Sequence, residues 1–527
     1  MRRLLVVAVA LVAVLGVVAP AMAQAPAPKV TITGLIDQIG TYSHNMSIYD
    51  SNYNRSKDDL SYGRTRGRFD VIGEIGKAKA VLGLEIDMYY GQTGNSDSNF
   101  APGADAQSAG NGADGGFDLN TDSRAVIEVK WLYTEFALPI PLDTTVRLGA
   151  QPFGTLATNK LAVYANGDFP GVATMWRFGP AAQLNLTYVQ VEENLGGNRP
   201  TDITGGPFTR GEDWAVIASF DFTPFKGLTI KPMYSFFEAK GLTSSQARQG
   251  RGGVSTTAAF TSAANPDRLT ENRHTIGVDA TWTAGPFSLA PTVLYQFGDR
   301  RNIITNAAYG TVGSVTKADI DAWLVDVRGG FNVGPLALSA MGMWTSGDKA
   351  SSNPFNSIGY FQPLDTDTSY GADWGTQIFS LGIDYFQILY NSIGGLNPGV
   401  AIGYDKYGRI QVGAKAAYSI TPAFTVGLAA TADWTDRKVD TDSTLAAATG
   451  LTPIAGRGAK GDSSYLGTEV NVSATYRFAP GIAFDVAGGY LFAGEALAHT
   501  VDAAGGIGAK KGVDDVVTGT ARVRYTF

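Results

Sequence analysis

The chain has 527 residues, 41 Lys and Arg against 48 Asp and Glu, a net charge of −7, and no cysteine. Disulfides, thiol catalysis and iron–sulfur clusters are thereby excluded, and the acidic balance offers no basic face to nucleic acid. After Val18 no run approaches eighteen uninterrupted apolar residues, so no membrane-spanning helix is expected beyond that point.

The N-terminus reads as a leader. Arg2 and Arg3 precede an apolar run from Leu4 to Val18, and Ala21-Met22-Ala23 supplies a small-residue cleavage site. Cleavage after Ala23 leaves about 504 residues and a charge of about −9, since the leader takes two arginines with it. Residues 24–29 are then a short linker and 30–527 a single domain.

From Val30 the chain alternates with a period of two. The first strand runs from Val30 to about Tyr42 and meets a polar loop. The second, Ser61 to Ile75, puts Phe69, Val71, Gly73 and Ile75 on one face and Arg64, Arg66, Arg68, Asp70 and Glu74 on the other. After the short connection Gly76 to Lys79, a third strand alternates Leu82, Leu84, Ile86, Met88 and Tyr90 with Glu85 and Asp87. A long Gly/Asn/Asp loop follows to Arg124. Its stretch Gly110 to Asp122 has oxygen ligands but lacks the spacing and closing Glu of a calcium loop, so no metal is expected there.

Short and long connections then alternate to the end. Short ones fall at Pro139 to Asp143, Gly179-Pro180, Thr223 to Gly227, Ala284 to Pro286, Gly334-Pro335, Thr421-Pro422 and Ala479-Pro480. Long ones fall near 153–170, 193–211, 240–272, 299–318, 435–464 and 493–513. Several strands restart after a Gly/Thr-Pro turn with a similar phrase: GPAAQLNLTY, GPFSLAPTVLY, GPLALSAMGMW, TPAFTVGLAATADW. Tyr188, Tyr295, Trp344 and Trp434 lie about a membrane thickness from those turns, and Trp282, Phe331, Phe478 and Phe527 would form the opposite aromatic girdle. The last strand, within DDVVTGTARVRYTF, sets Val517, Gly519, Ala521, Val523, Tyr525 and Phe527 against Thr518, Thr520, Arg522, Arg524 and Thr526.

This pattern predicts an all-β fold, a transmembrane antiparallel up-and-down barrel of about eighteen strands (sixteen to twenty), with short periplasmic turns and long extracellular loops. Backbone groups facing lipid must all be paired, and only a closed sheet achieves that. No second apolar face for a dry core is evident, so the interior is expected to be wet. The stretch 370–409 resists: Phe379, Leu381, Ile383 and Tyr385 alternate as a strand would, and the sequence leaves open an outer loop or a further hairpin.

The expected interior carries Arg64, Arg66, Arg68, Glu85, Asp87, Lys130, Arg147, Asp326, Arg328, Glu469, Arg477, Arg522 and Arg524 as pore-lining residues. The arginine triplet recurs about every 7 Å along one strand; it either attracts anionic and polar solutes or pairs with the neighbouring carboxylates. Pro152 to Pro170, with Lys160 and Asp168, is the candidate constriction loop; packing on the outer rim is the alternative. His274 on the tenth strand is expected in a girdle, since no phrase announces a catalytic partner for it. No catalytic residue, metal or cofactor is expected.

YGRTRGRFDVIGEIG with AVLGLEIDMYYG, VRLGAQPF, SGDKASSNPFNSIGYFQPL, and YLGTEVNVSATYRF with the terminal YTF resemble bacterial outer-membrane porins. Among these the chain resembles the large single-chain alginate-export-type barrels, and the resemblance implies an arginine-lined pore to which Arg64, Arg66, Arg68, Glu85 and Asp87 belong. The expected function is a water-filled channel in the outer membrane of a Gram-negative-type bacterium for passive diffusion of small hydrophilic solutes, anionic ones included. The alternatives are a dedicated alginate-like polysaccharide channel and a loop-plugged structural or adhesion barrel. Expected partners are outer-membrane lipid, the barrel-assembly machinery through the Phe527 strand, and the solutes; a homo-oligomer is left open.

Overall fold

A computed structural model describes residues 26–46, 59–90, 116–117, 127–153, 164–166, 168–192, 213–240, 270–304, 310–353, 355–366, 374, 376–380, 382–384, 405–441, 460–500, 510–511 and 514–527. The leader, Lys160, and 110–122 apart from the backbone of 116–117 lie outside the described residues.

Eighteen strands build the wall: β1 (Lys29–His44), β2 (Asp59–Ile75), β3 (Ala78–Tyr90), β4 (Ile127–Ala137), β5 (Asp143–Pro152), β6 (Asp168–Arg177), β7 (Ala182–Glu192), β8 (Asp213–Phe225), β9 (Leu228–Lys240), β10 (Thr270–Ala284), β11 (Phe287–Ile303), β12 (Val315–Val333), β13 (Leu336–Thr345), β14 (Arg409–Thr421), β15 (Phe424–Val439), β16 (Ser463–Ala479), β17 (Ile482–Ala493) and β18 (Val516–Thr526). Each pairs antiparallel with its sequence neighbours, and β1 closes on β18 from Leu35 opposite Thr526 to His44 opposite Val517. The seam continues to the last residue, where Gly34 and Phe527 exchange backbone bonds of 3.0 Å in both directions. Among the described residues every wall strand has a neighbour on both sides, as lipid requires. Two dipeptides, 116–117 and 357–358, run parallel to β3 and β12 as short additions.

The period-two sorting holds along the wall. Val472, Val523, Leu428 and Ile276 are exposed on the outside, while their alternates Asn471, Arg522, Ala429 and Thr275 are buried or nearly so. Trp282, Phe478 and Phe527 are exposed near the short turns. At the opposite end, Tyr295 packs on Trp323 with ring centroids 4.4 Å apart, and Trp434 on Tyr465 at 5.8 Å.

Two expectations are corrected. The described residues of the stretch after 370, namely 374, 376–380 and 382–384, lie inside the ring and add no wall strand. Gln362 bonds to β10 and β11, residues 377–379 to β16, and Asp384 to β1 and β2. These strands lie on widely separated parts of the ring, so only a segment running through the interior reaches all of them. The interior is also not uniformly wet. Inward side chains of β6–β13, among them Met233, Phe237, Leu294, Leu324, Met341 and Met343, form an apolar core with Phe153, Tyr164, Phe361, Leu364 and Trp374 from the inward segments. Each such buried ring or Leu contributes about 2 kcal/mol toward holding its segment inside. A second cluster, with Ile378, Phe379, Tyr407, Leu466, Leu491 and Leu497, holds the segment on the other side.

Candidate channel interior

The inner face of β17, β18, β1, β2, β3, β4 and β6 carries a ladder of charged side chains. Arg522 contacts Asp485 at 2.7 Å and Asp37 at 3.8 Å, and Arg524 donates from Nε and Nη2 to the two oxygens of Asp37 at 2.8 and 2.9 Å. On β2, Arg66 donates to both oxygens of Asp87 at 2.8 and 2.7 Å and lies 3.4 Å from Glu85, while Arg64 reaches Asp87 at 3.0 Å. Arg68 pairs with Glu85, and Lys130 bridges Glu85 at 3.6 Å to Asp168 at 3.2 Å. The register explains two of these contacts, since Arg66 sits opposite Asp87 and Arg68 opposite Glu85. Toward the short turns Arg147 donates to Glu135 at 2.6 Å, and Lys79 lies 2.8 Å from the same carboxylate.

Within this ladder six cations (Arg64, Arg66, Arg68, Lys130, Arg522, Arg524) meet six carboxylates (Asp37, Glu85, Asp87, Asp168, Asp384, Asp485). Side-chain exposure falls along β2 from 35% at Arg68 to 8% at Arg66 and 0% at Arg64. Arg68 lies toward the short-turn end, so that half is the wetter one.

On the opposite arc the polar residues also gather toward the short turns. Lys231 pairs with Asp221 at 2.7 Å, Thr292 donates to Asp279 at 2.7 Å, and Arg328 lies 3.4 Å from Asp326. A cavity of about 350 Å³ opens at that end, lined by Thr475, Arg477, Asp485, Arg522, Arg524 and Thr526. Farther out a buried group of Glu271, Arg273, Arg300 and Gln296 clamps Gln362.

Glu469 is fully buried and accepts the backbone N–H groups of Gln377 (2.6 Å), Ile378 (2.9 Å) and Phe379 (2.7 Å). It anchors the inward segment rather than lining open space. Of the candidate constriction loop, Asp168 belongs to β6, whereas Tyr164 donates to Ser235 of β9 at 2.8 Å and its carbonyl accepts from Leu364 at 2.7 Å. The described end of that loop therefore crosses the interior, past β6, β7 and β8. His274 faces outward, bonded to Tyr234 at 2.8 Å and stacked on Phe297. In the connection after β13, burial pushes the carboxyl of Asp348 above the usual range, against the pull of the Gly359 N–H, Lys406 and Arg437.

Sequence reading missed Asp37 and Asp485, although both keep the period of their strands. It also missed Asp384 and Gln362, which lie where no period exists.

A closed antiparallel barrel with an apolar exterior and a charged interior defines the class: a transmembrane β-barrel. No family model and no curated protein matches the chain. Among solved structures it is similar to Pseudomonas aeruginosa OccK8 (OprE), at 12% identity and a TM-score of 0.47, covering 95% of this chain and 98% of that one. It is also similar to OccK5 (OpdH) of the same organism (11%, TM-score 0.43, 94% and 98%) and to its OpdK with vanillate (8%, TM-score 0.46, 94% and 98%). At such identities the likeness concerns the path of the chain.

Proposed function

We propose that the protein is an outer-membrane porin, a passive channel for small hydrophilic solutes whose polar path follows the ladder from the cavity beside Arg522 and Arg524. The observation that carries this is the ladder itself. A row of guanidinium and carboxylate groups on the inner face of a lipid-sorted cylinder needs water beside it, and a wall of eighteen strands encloses more space than its own side chains fill. The terminal strand, ending in Phe527, is the segment offered to the barrel-assembly machinery, and outer-membrane lipid covers the exterior.

A polyuronate conduit would call for an excess of cations along the path. Here the cations of the ladder meet at least as many carboxylates, with Glu128 opposite Glu85 besides those in ion pairs, so diffusion of small solutes, anionic ones included, is the better supported reading. The inward segments favour one other reading, a barrel plugged for a structural or adhesive role. Planar-bilayer recording separates them. Ohmic steps support the porin, block by uronate oligomers supports the polysaccharide channel, and silence from folded protein supports the plug. Replacing Arg64, Arg66 and Arg68 with Ser shifts the reversal potential in a salt gradient if the ladder lines the path; an unchanged potential removes it.

A further inference from the structure

On the lipid face of β1 one side chain is a primary amide. Gln38 and Gly40 are exposed and turn outward between the buried, inward Asp37, Ile39 and Thr41. Four residues toward the short turns, Gly34 bonds to Phe527 of that girdle; four residues the other way, Tyr42 reaches Asp59 at 3.0 Å. Gln38 therefore stands about 13 Å along the strand from each end of the lipid-facing stretch. That is the middle of the hydrocarbon, where an unpaired polar group is most costly.

The amide is held in place from one side. Thr65 Oγ1 of β2 lies 2.7 Å from Gln38 Oε1 and 3.0 Å from Tyr90 Oη, and Tyr90 donates to the same Oε1. Tyr90 can lie there because Gly63, opposite Gly40 across the β1–β2 register, has no side chain; a Cβ on Gly63 would stand 2.5 Å from the Tyr90 ring. All of these contacts fall on the amide oxygen. Among the described residues the amide nitrogen, with its two N–H groups, has no partner, and turning the amide over would put the oxygen in that position instead.

The wall beside it is bare. Gly40 stands opposite Ala521 of β18, and Gly519 opposite Tyr42. A Cβ at Gly40 or at Gly519 would meet nothing within 4 Å, and neither glycine has a left-handed backbone, so the packing of this chain asks for neither. Glycine weakens a strand interior, and it marks places where another backbone comes close.

We propose that this patch, Gln38 with Gly40, Gly519 and Ala521, is where a second copy of the chain docks, side by side in the membrane. An occupant at this depth has to bring a donor or an acceptor. Lipid tails carry neither, and head groups lie beyond the girdles. Two copies with the same rim outward are related by an axis along the membrane normal, which sets equal depths against each other. Gln38 then faces Gln38, and a primary amide, donor and acceptor at once, is its own complement. Gly40 and Gly519 let the two walls approach, as small residues do in membrane interfaces. The proposal goes beyond the porin reading and needs only the lipid-facing sorting of the wall.

The test places cysteine at Gly40 of the full-length protein, which has none of its own, and, as a control, at the outward Val472 of β16. The proteins are reconstituted in phosphatidylcholine liposomes at low surface density, shown to be folded by heat-modifiable mobility, oxidised with copper-phenanthroline and run on unreduced gels. G40C is expected to give a cross-linked pair of twice the chain mass, and V472C little. With the amide pair removed, Q38L/G40C is expected to form the pair about tenfold less, while its heat-modifiable transition stays as high as that of G40C, because Leu suits lipid. Equal cross-linking at 40 and 472 overturns the proposal, as does none at 40, which would leave the patch to lipid. A Q38L/G40C yield equal to that of G40C overturns it too.

Discussion

Glu469 and Phe379, 90 residues apart in sequence, are joined by a 2.7 Å bond from the Phe379 N–H to Glu469 Oε2. The other oxygen takes the N–H groups of Gln377 and Ile378. A carboxylate receiving three successive backbone donors in a water-poor interior fixes the chain direction there, and its loss leaves three donors without a partner.

E469A is therefore predicted to cost the docked segment about 3 kcal/mol while the wall, paired along every edge, stays closed. In hydrogen exchange, the amides of residues 377–379 should lose about two orders of magnitude of protection, and those of β16 and β17 should change little. Equal loss in the wall strands would show that Glu469 supports the barrel rather than the segment.

Asp37 ties the two ends of the sheet together, since Arg524 of β18 donates twice to it across the β1 seam. Asp37 is almost wholly buried, whereas Arg524 is 28% exposed, so water relieves part of the loss. D37N should lower stability by about 2 kcal/mol, seen as a lower temperature for the heat-modifiable transition. Because Arg522 also lies near Asp37, R524Q should cost less than D37N. A D37N/R524Q double variant as unstable as the sum of the two single losses would show that the pair does not act as a pair.

Asp348 gives the connection after β13 a pH dependence. Its carboxyl is raised by burial above its ordinary value of 3.8, so between those two values the docked connection binds more of the proton than the free one does. Docking is favoured fully below that ordinary value and loses the advantage as pH rises through the raised value. D348N keeps an acceptor for the Gly359 N–H and removes the charge. At neutral pH it should slow exchange of the amides in 346–353 and 355–359 and flatten their pH dependence; faster exchange would contradict this.

The wall was legible because lipid and water impose a strict alternation. Arg522 and Val523 differ by one residue and face different solvents, and the count of eighteen strands followed from turns such as Gly334-Pro335 and Ala479-Pro480. The outward setting of His274 was legible for the same reason. The inward segment was not, because Gln362, Gln377 and Asp384 obey no period; their partners, such as Gln296, Glu469 and Arg64, are supplied by the closed ring and not by neighbours in sequence. The apolar inner residues Met233, Phe237 and Leu294 were equally hidden. A strand with apolar side chains on both faces gives no sign of whether a second covering exists, and here the covering comes from other loops.

The chain has no cysteine, so single cysteines report cleanly on its two faces. The central claim is that adjacent residues of β18 face water inside and hydrocarbon outside. Placing cysteine in turn at Ala521, Arg522, Val523 and Arg524 of the reconstituted protein, and applying a membrane-impermeant methanethiosulfonate while recording current, tests it most directly. Reaction and a change of current at 522 and 524, with protection at 521 and 523, is the predicted result; equal labelling at all four positions, or protection at 522 and 524, would contradict it.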